Sequence, residues 1–433
     1  MMLPASAGSP SLNTAHSHFS LILFEHVLIR QMSNGRQILE KACRMHLVFV
    51  SSLLPVANPT SGFDIANRVV LDALRAQGIR VSLLGYQTPG TQLAPSDGAA
   101  ILGEQEVSTA KVSTKQKLLW LAAALLNGTT FSSAKMLACG KENLRWNLQS
   151  LGPFDGLILN SVQLPGAFMD VLTGYPSIFV AHNVEATSAA ENALHAKSVF
   201  ERFLLKREAK ILANIEMRLC QRANFIWTLS QQDRISLDVA EDLKSAVLPL
   251  VTSVNAPAIL DANRQITYDL GLIGTWNWRP NRAGLDWFIE QVTPHLPEDM
   301  TIAIAGELAD PPIGKLHPGI RFLGRVADAR AFVASCAVIP LASTAGTGVQ
   351  LKTIETFEMG LPCVATSLAL RGMASIPSNC TVVDEPNAFA AALVSTRATP
   401  RLVENAGNHA GQFHAAQMQQ LSLAIGKGLA ALG

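Results

Sequence analysis

From Met45 onward the sequence repeats one pattern: a short apolar run, a turn, then a helix-period stretch. Residues 46–50 (HLVFV) open it, and similar runs recur at 80–84, 157–159, 178–181 and 225–229. A helix is predicted over about 63–77, where Phe63, Ala66, Val70, Ala73 and Leu74 share one face and Gly78 marks the left-handed exit. Short apolar strands separated by helices pair in parallel, so the chain is expected to be α/β with doubly wound sheets. Residues 188–222 contain neither Pro nor Gly and read as one or two helices. The pattern then breaks over 248–268, around Pro249 and Pro257, as an interdomain linker does. It resumes with strands near 270–273, 301–305, 320–323, 337–341 and 363–366, and helices near 282–296, 327–334 and 348–359. Residues 387–432 read as helical with a break at Pro400. The expected organisation is an extension over 1–44, one domain over 45–248, a linker over 249–268, a second domain over 269–400, and a helical segment over 401–433.

The amino-terminal 44 residues lack this pattern; residues 20–29 are apolar but carry Glu25 and His26, too short to span a bilayer and without a signal peptide's flanks. The 433 residues are 48% hydrophobic and 15% charged with a net charge of +1, which excludes a disordered or coiled-coil chain and gives no support to a nucleic-acid partner. The six cysteines form no CxxC pair and no run of 18 apolar residues occurs, so a cytoplasmic enzyme is expected, free or at the inner face of a membrane. No Asp-x-Asp pair, HExxH motif or Cys/His spacing offers a metal site, and no cofactor is expected.

The most informative stretch is GTGVQLKTIETFEMGLP at 346–362, which follows a strand, passes a glycine loop and enters a helix near Gly348. Glycines there let an anion reach backbone N–H groups, and the helix dipole adds about half a positive charge. Lys352 and Glu355 stand three apart on one helix face. A lysine suits a phosphate and a glutamate suits a ribose diol, while an ordinary surface ion pair would use the same spacing. His182, in HNVE at 182–185, follows a strand and so lies at a carboxyl end, where open α/β sheets bind ligands. Glu185 beside it reads as a contact or as a helix cap. Two further segments, PTSGFDIAN at 59–67 and GTWNWRPN at 274–281, combine glycines, a strand exit and a helix start in the same way.

Together these four segments resemble the family-4-type retaining glycosyltransferases, glycosyl transferases group 1, across nearly the whole chain after Met45. The resemblance implies a GT-B fold, two Rossmann-like domains facing across a cleft, and sugar transfer from a nucleotide-diphosphate sugar to a hydroxyl acceptor in polysaccharide or glycolipid biosynthesis. It assigns Gly346, Thr347, Gly348, Glu355 and Arg279 to the donor, His182 and Lys352 to catalysis, and Gly62 to an acceptor or phosphate loop. The chain departs from the family where the first of two motif glutamates should stand, at Thr347, and at Thr275 and Asn281, where Arg and Lys often grip the diphosphate. Arg279, Arg282 or Lys352 must then supply that charge, with Lys352 favoured. A nucleotide-sugar 2-epimerase and a non-catalytic sugar-nucleotide-binding subunit are the rival readings.

The seven cations among Lys197, Arg202, Lys206, Arg207, Lys210, Arg218 and Arg222 exceed the acids of that stretch by four, and Lys111, Lys115 and Lys117 precede apolar 118–126. These segments suit a peripheral membrane contact serving a glycan or lipid-linked acceptor, or else a solvated face over a core helix.

Overall fold

The computed structural model of the protein describes residues 45–433 except 60, 107–111, 197, 259, 262–263, 311, 313–315 and 399–405. The expected extension over 1–44, together with Lys111, Lys197 and Pro400, lies outside the described residues. The first sheet has seven strands, β1 (His46–Leu53), β2 (Arg80–Gln87), β3 (Ala99–Glu104), β4 (Gly156–Asn160), β5 (Ser177–Ala181), β6 (Phe225–Thr228) and β7 (Ser245–Val247). The second has six: β8 (Tyr268–Ile273), β9 (Ile302–Ala305), β10 (Ile320–Gly324), β11 (Cys336–Leu341), β12 (Cys363–Ala365) and β13 (Cys380–Val382).

The strand orders are β3-β2-β1-β4-β5-β6-β7 and β10-β9-β8-β11-β12-β13, with every ladder parallel. Both orders reverse direction once, between β1 and β4 and between β8 and β11. Those two reversals are where doubly wound sheets open a ligand crevice. The fold class read from the pattern is the one observed.

Seven helices position the site or close the fold: α1 (Gly62–Ala76), α2 (Thr114–Leu126), α3 (Glu185–Leu194), α4 (Val199–Arg222), α5 (Arg279–Trp287), α6 (Leu351–Glu358) and α7 (Ala406–Ala430). The capping box of α1 explains its start. Asp64 N–H donates to Ser61 Oγ at 3.2 Å and the Asp64 carboxylate accepts from Ser61 N–H at 3.3 Å. Gly78 follows the helix at φ +79°, as its exit requires.

The structure corrects several expected boundaries. Helix α6 starts at Leu351, three residues after Gly348, and α5 starts at Arg279 and runs into wider and tighter turns over 288–295. The stretch 188–222 is two helices, since the chain breaks between Leu194 and Val199. Strands β3, β7 and β13 have no counterpart in the sequence pattern. They are three of the four edge strands, with β7 and β13 only three residues long and β3 and β13 partly exposed, so no fully apolar run marks them.

Helix α7 leaves the second sheet and packs under the first. Trp227 Nε1 of β6 donates to Ala424 O at 2.9 Å, and Phe413, Leu421, Ile425 and Leu429 join a core cluster that also holds Leu47, Phe49 and Phe357. One hydrophobic core therefore runs through both sheets.

Candidate functional site

A cleft of about 1060 Å³ lies between the carboxyl ends of the two sheets. Gly62, Phe63, His182, Asn183 and Ser188 line it from the first sheet, and Thr275, Arg279, Arg325, Gly346–Gly348, Lys352 and Glu355 line it from the second. Topology thus brings Gly62, His182, Arg279, Gly346, Thr347, Gly348, Lys352 and Glu355 to one place, while Arg282 and Glu185 do not line it.

The second wall carries bare charge. Lys352 and Glu355 sit in the first turns of α6, and neither side chain has a hydrogen bond or ion pair among the described residues. The surface ion pair that their spacing also allowed is absent. The Lys352 ammonium lies over the Trp276 indole, 5.8 Å from its centre, and Trp276 is itself fixed by Nε1 donating to Ala305 O at 2.8 Å. Burial without an anion lowers the Lys352 pKa to about 8. Burial raises that of Glu355, with the neighbouring Glu358 adding to the shift and Arg330 opposing it. Glu358 looks similar in the sequence but points away from the cleft, accepting from Thr252 N–H at 3.2 Å and meeting His414 Nδ1 at 3.0 Å.

The cations around this pair divide in two. Arg282, a candidate for the diphosphate, is occupied by Asp286 at 2.7 and 2.9 Å. Arg279 is exposed and among the described residues reaches only the His195 carbonyl of the opposite wall, at 3.5 Å. Arg325 follows β10 and lines the cleft with its guanidinium unpartnered among the described residues. Sequence reasoning missed Arg325 and Trp276. The first directly follows a strand-ending glycine, and the second stands inside the GTWNWRPN segment, so both had a local signal.

The glycines behave differently from one another. Gly346 has φ +100° and a Cβ there would collide with Pro280, so this turn needs glycine; Arg371 donates to its carbonyl. Gly62 is no turn glycine: it is the first residue of α1, with Leu351 of the opposite wall 3.1 Å from where its Cβ would stand. Thr347 Oγ1 lies 2.6 Å from Ser188 Oγ, a hydrogen bond across the cleft at the position where the family pattern has glutamate.

The first wall, by contrast, is knit together. Asn160, at the end of β4, donates through Nδ2 to Ser51 Oγ at 3.1 Å and Asn67 Oδ1 at 2.8 Å. Its Oδ1 is left to accept from His182 Nε2–H at 2.8 Å, which leaves the His182 Nδ1 lone pair free. Phe63 packs on the imidazole at 5.1 Å, and burial lowers the His182 pKa to about 4, so the ring is neutral near pH 7.

Glu185 Oε1 accepts from Gln163 Nε2 at 2.7 Å and Ser161 Oγ at 3.1 Å. Ser161 holds a left-handed φ of +68°, a conformation unusual for serine and common near functional sites. Glu185 does not cap its own helix. Glu216 of α4 does so, accepting from Glu185 N–H at 2.6 Å and Ala186 N–H at 3.4 Å. Burial raises both carboxyl groups to about 7.

The basic stretch is also redistributed. Arg207 is not part of a solvated face: its guanidinium donates to Ala124 O at 2.9 Å and Thr129 O at 3.0 Å, closing the end of α2. Arg202, Lys206 and Lys210 remain exposed. Among the described residues no group of three or more His, Cys, Asp or Glu converges on a common point.

Residues 267–398 match a family model described as Glycosyl transferases group 1. No curated protein matches the chain in sequence. Among solved structures, the chain is similar to sucrose-phosphate synthase from Thermosynechococcus elongatus at TM-score 0.61 and 15% identity, over 88% of this chain and 98% of that one. It is similar to Anabaena HepE in complex with UDP and glucose at TM-score 0.53 and 14% identity, over 88% of this chain and 99% of that one. The two parallel-sheet domains and their cleft are the GT-B arrangement.

Proposed function

We propose that the protein is a glycosyltransferase that moves a sugar from a nucleotide-diphosphate sugar to a hydroxyl acceptor, with retention of configuration and without a metal ion. The observation that carries this reading is the half-buried Lys352 and Glu355 pair at the cleft, without a hydrogen bond or ion pair among the described residues and inside the segment matching the family model. A half-buried charged group without a hydrogen bond or ion pair is unfavourable in the free protein, and a ligand that brings both a diphosphate and a diol relieves both groups at once.

Glu355 would accept from the two ribose hydroxyls, and Lys352, aided by Arg279, Arg325 and the open N-terminal turn of α6, would meet the diphosphate. Gly346, Thr347 and Gly348 would border the donor sugar. In the transfer, the bond from the anomeric carbon to the phosphate oxygen breaks and the bond to the acceptor oxygen forms on the same face. The acceptor proton passes to the departing phosphate oxygen, so no strong side-chain base is required. Lys352 stabilises charge as it develops on that phosphate. Neutral His182, held by Asn160, would accept a hydrogen bond at Nδ1 from a hydroxyl of the transferred sugar. Gly62 and Phe63 would border the acceptor.

UDP is the first nucleotide to test, since the Anabaena HepE neighbour is described with UDP and glucose. Calorimetric titration with UDP, followed by a panel of UDP-sugars in excess EDTA, tests the reading. Binding of UDP or another nucleoside diphosphate is expected, with slow donor hydrolysis that survives chelation. Binding without any hydrolysis favours a non-catalytic sugar-nucleotide-binding role. Turnover abolished by EDTA and restored by magnesium or manganese overturns the metal-independent mechanism.

A further inference from the structure

Next to His182, on the side away from Lys352, a second cavity of about 750 Å³ opens between α2, α3 and α4. Its inner end holds His182, Glu185, Gln163 and Ser161, and its body is lined by Phe63, Leu118, Leu121, Leu204, Leu205 and Leu212. Polar side chains also reach it, Lys117, Asn192, Glu201 and Glu208 among them, but most of the surface it presents is hydrocarbon.

The outer wall of this cavity is unusual for a protein surface in water. Helix α2 (TKQKLLWLAAALL) buries only Trp120 and Ala124 of its thirteen residues. Leu118, Leu119, Leu125 and Leu126 are exposed on it, Leu126 by 87%, and the first turns of α4 expose Val199 by 83%, Phe200 by 66% and Phe203 by 64%. A contiguous apolar face of this kind marks an interaction surface. Its charge is one-sided on α2, which has Lys115 and Lys117 and no acid, and on the first turns of α4 the exposed Arg202, Lys206 and Lys210 outnumber the exposed Glu201. Two copies meeting face to face would oppose these cations. Apolar side chains fringed by lysine and arginine instead complement the headgroup region of an anionic bilayer. Among the described residues no helix is long and apolar enough to cross a membrane, so the contact is with one leaflet.

We propose that α2 and the first turns of α4 seat on an anionic membrane surface, and that the cavity behind them receives the apolar part of a lipid acceptor whose headgroup hydroxyl reaches His182 and Glu185. The membrane contact stands on the exposed face alone; the role given to the lipid rests on the transferase reading above.

The full chain is mixed with vesicles of phosphatidylcholine, with or without phosphatidylglycerol, and its sedimentation is followed at low and high salt. Binding to the anionic vesicles only, weakened by salt, is expected. The pair Arg202→Glu and Lys206→Glu, and separately Phe200→Ser with Phe203→Ser, should each lower vesicle affinity at least tenfold. UDP binding by calorimetry should be unchanged in both variants, since neither pair lines the donor wall. Amide exchange on anionic vesicles should slow over 114–126 and 199–205.

The proposal is overturned if the wild-type chain ignores anionic vesicles, if neither variant pair alters binding, or if the protection falls elsewhere. It is also overturned if sedimentation equilibrium shows a dimer that the Phe200 and Phe203 substitutions dissociate, because the face then serves a second copy. Vesicle binding in a protein that binds no nucleoside diphosphate would sink the transferase reading and leave the membrane contact standing.

Discussion

The two walls of the cleft meet the same problem, polar groups withdrawn from water, in opposite ways. On the first, His182 and Glu185 are held by Asn160, Gln163 and Ser161, so their geometry is set before any ligand arrives. On the second, Lys352 and Glu355 have no hydrogen bond or ion pair among the described residues, and the Trp276 ring faces the ammonium. A wall that is complete in itself positions what it meets. A wall with unanswered charge gains from binding, because the ligand supplies the missing partners. The contrast separates a site tuned for orientation from one tuned for affinity.

The contrast breaks first, if it is wrong, at Lys352 and Glu355. Glu355→Gln and Lys352→Ala should each weaken binding of a nucleoside diphosphate roughly ten- to a hundred-fold, about 1.5–3 kcal/mol, as read by calorimetry. Glu355→Gln should also raise the melting temperature of the free protein by a few degrees, on the order of 1 kcal/mol, since it removes a half-buried carboxylate that has no hydrogen bond among the described residues and stands next to Glu358. With the Lys352 pKa at about 8, wild-type affinity should fall as pH rises through that value while Lys352→Ala stays flat. Unchanged affinity with unchanged stability would show that these groups face solvent and nothing else.

A smaller effect sharpens the other side. Glu185 and Glu216 have their pKa raised from 4.5 to about 7 by burial. Between those values the folded chain keeps protons that the unfolded chain has released, so their contribution to stability is present below about pH 4.5 and is lost as pH rises to 7. Glu185→Gln should flatten that decline by on the order of 2 kcal/mol in urea unfolding compared at the two ends of the window. Donor affinity should stay as in the wild type. A decline as steep as the wild type's would remove Glu185 from the network that the hydrogen bonds describe.

The smallest effect concerns the bond joining the walls. Thr347→Val removes the hydroxyl that meets Ser188 across the cleft, which costs about 1 kcal/mol and should weaken nucleotide binding roughly fivefold. Ser188→Ala should do the same, and the double variant no more than either. Additive losses would mean that the two hydroxyls act separately.

What the sequence revealed about this comparison follows from which forces are local. The central strands are apolar on both faces, so runs such as 46–50 and 178–181 announced themselves; the edge strands β3 and β13 are only partly buried and did not. Lys352 and Glu355 share a helix face by spacing alone, so their pairing at the cleft was legible. That they make no ion pair was not, because it depends on the space around them. The first wall was the harder half. Asn160 reaches His182 only because β4 and β5 are neighbours in the sheet, and Glu216 caps α3 from another helix. Contacts made by topology leave no periodic trace, although a polar residue closing an apolar strand, as Asn160 does, is a usable sign.

Helix α7 imposes an order of events that no single domain shows by itself. The indole of Trp227 is packed against Gly428, where a Cβ would stand 2.5 Å from the ring, and it donates to Ala424 O. Residues of β6 therefore wait, during synthesis, for a helix encoded far later, Trp227 and Ala424 being 197 positions apart. The first sheet emerges early but remains uncovered along one edge until the second has been made. A nascent chain at that stage exposes apolar surface to its surroundings, and a helix translated after the second sheet is the one that seals the first domain to form.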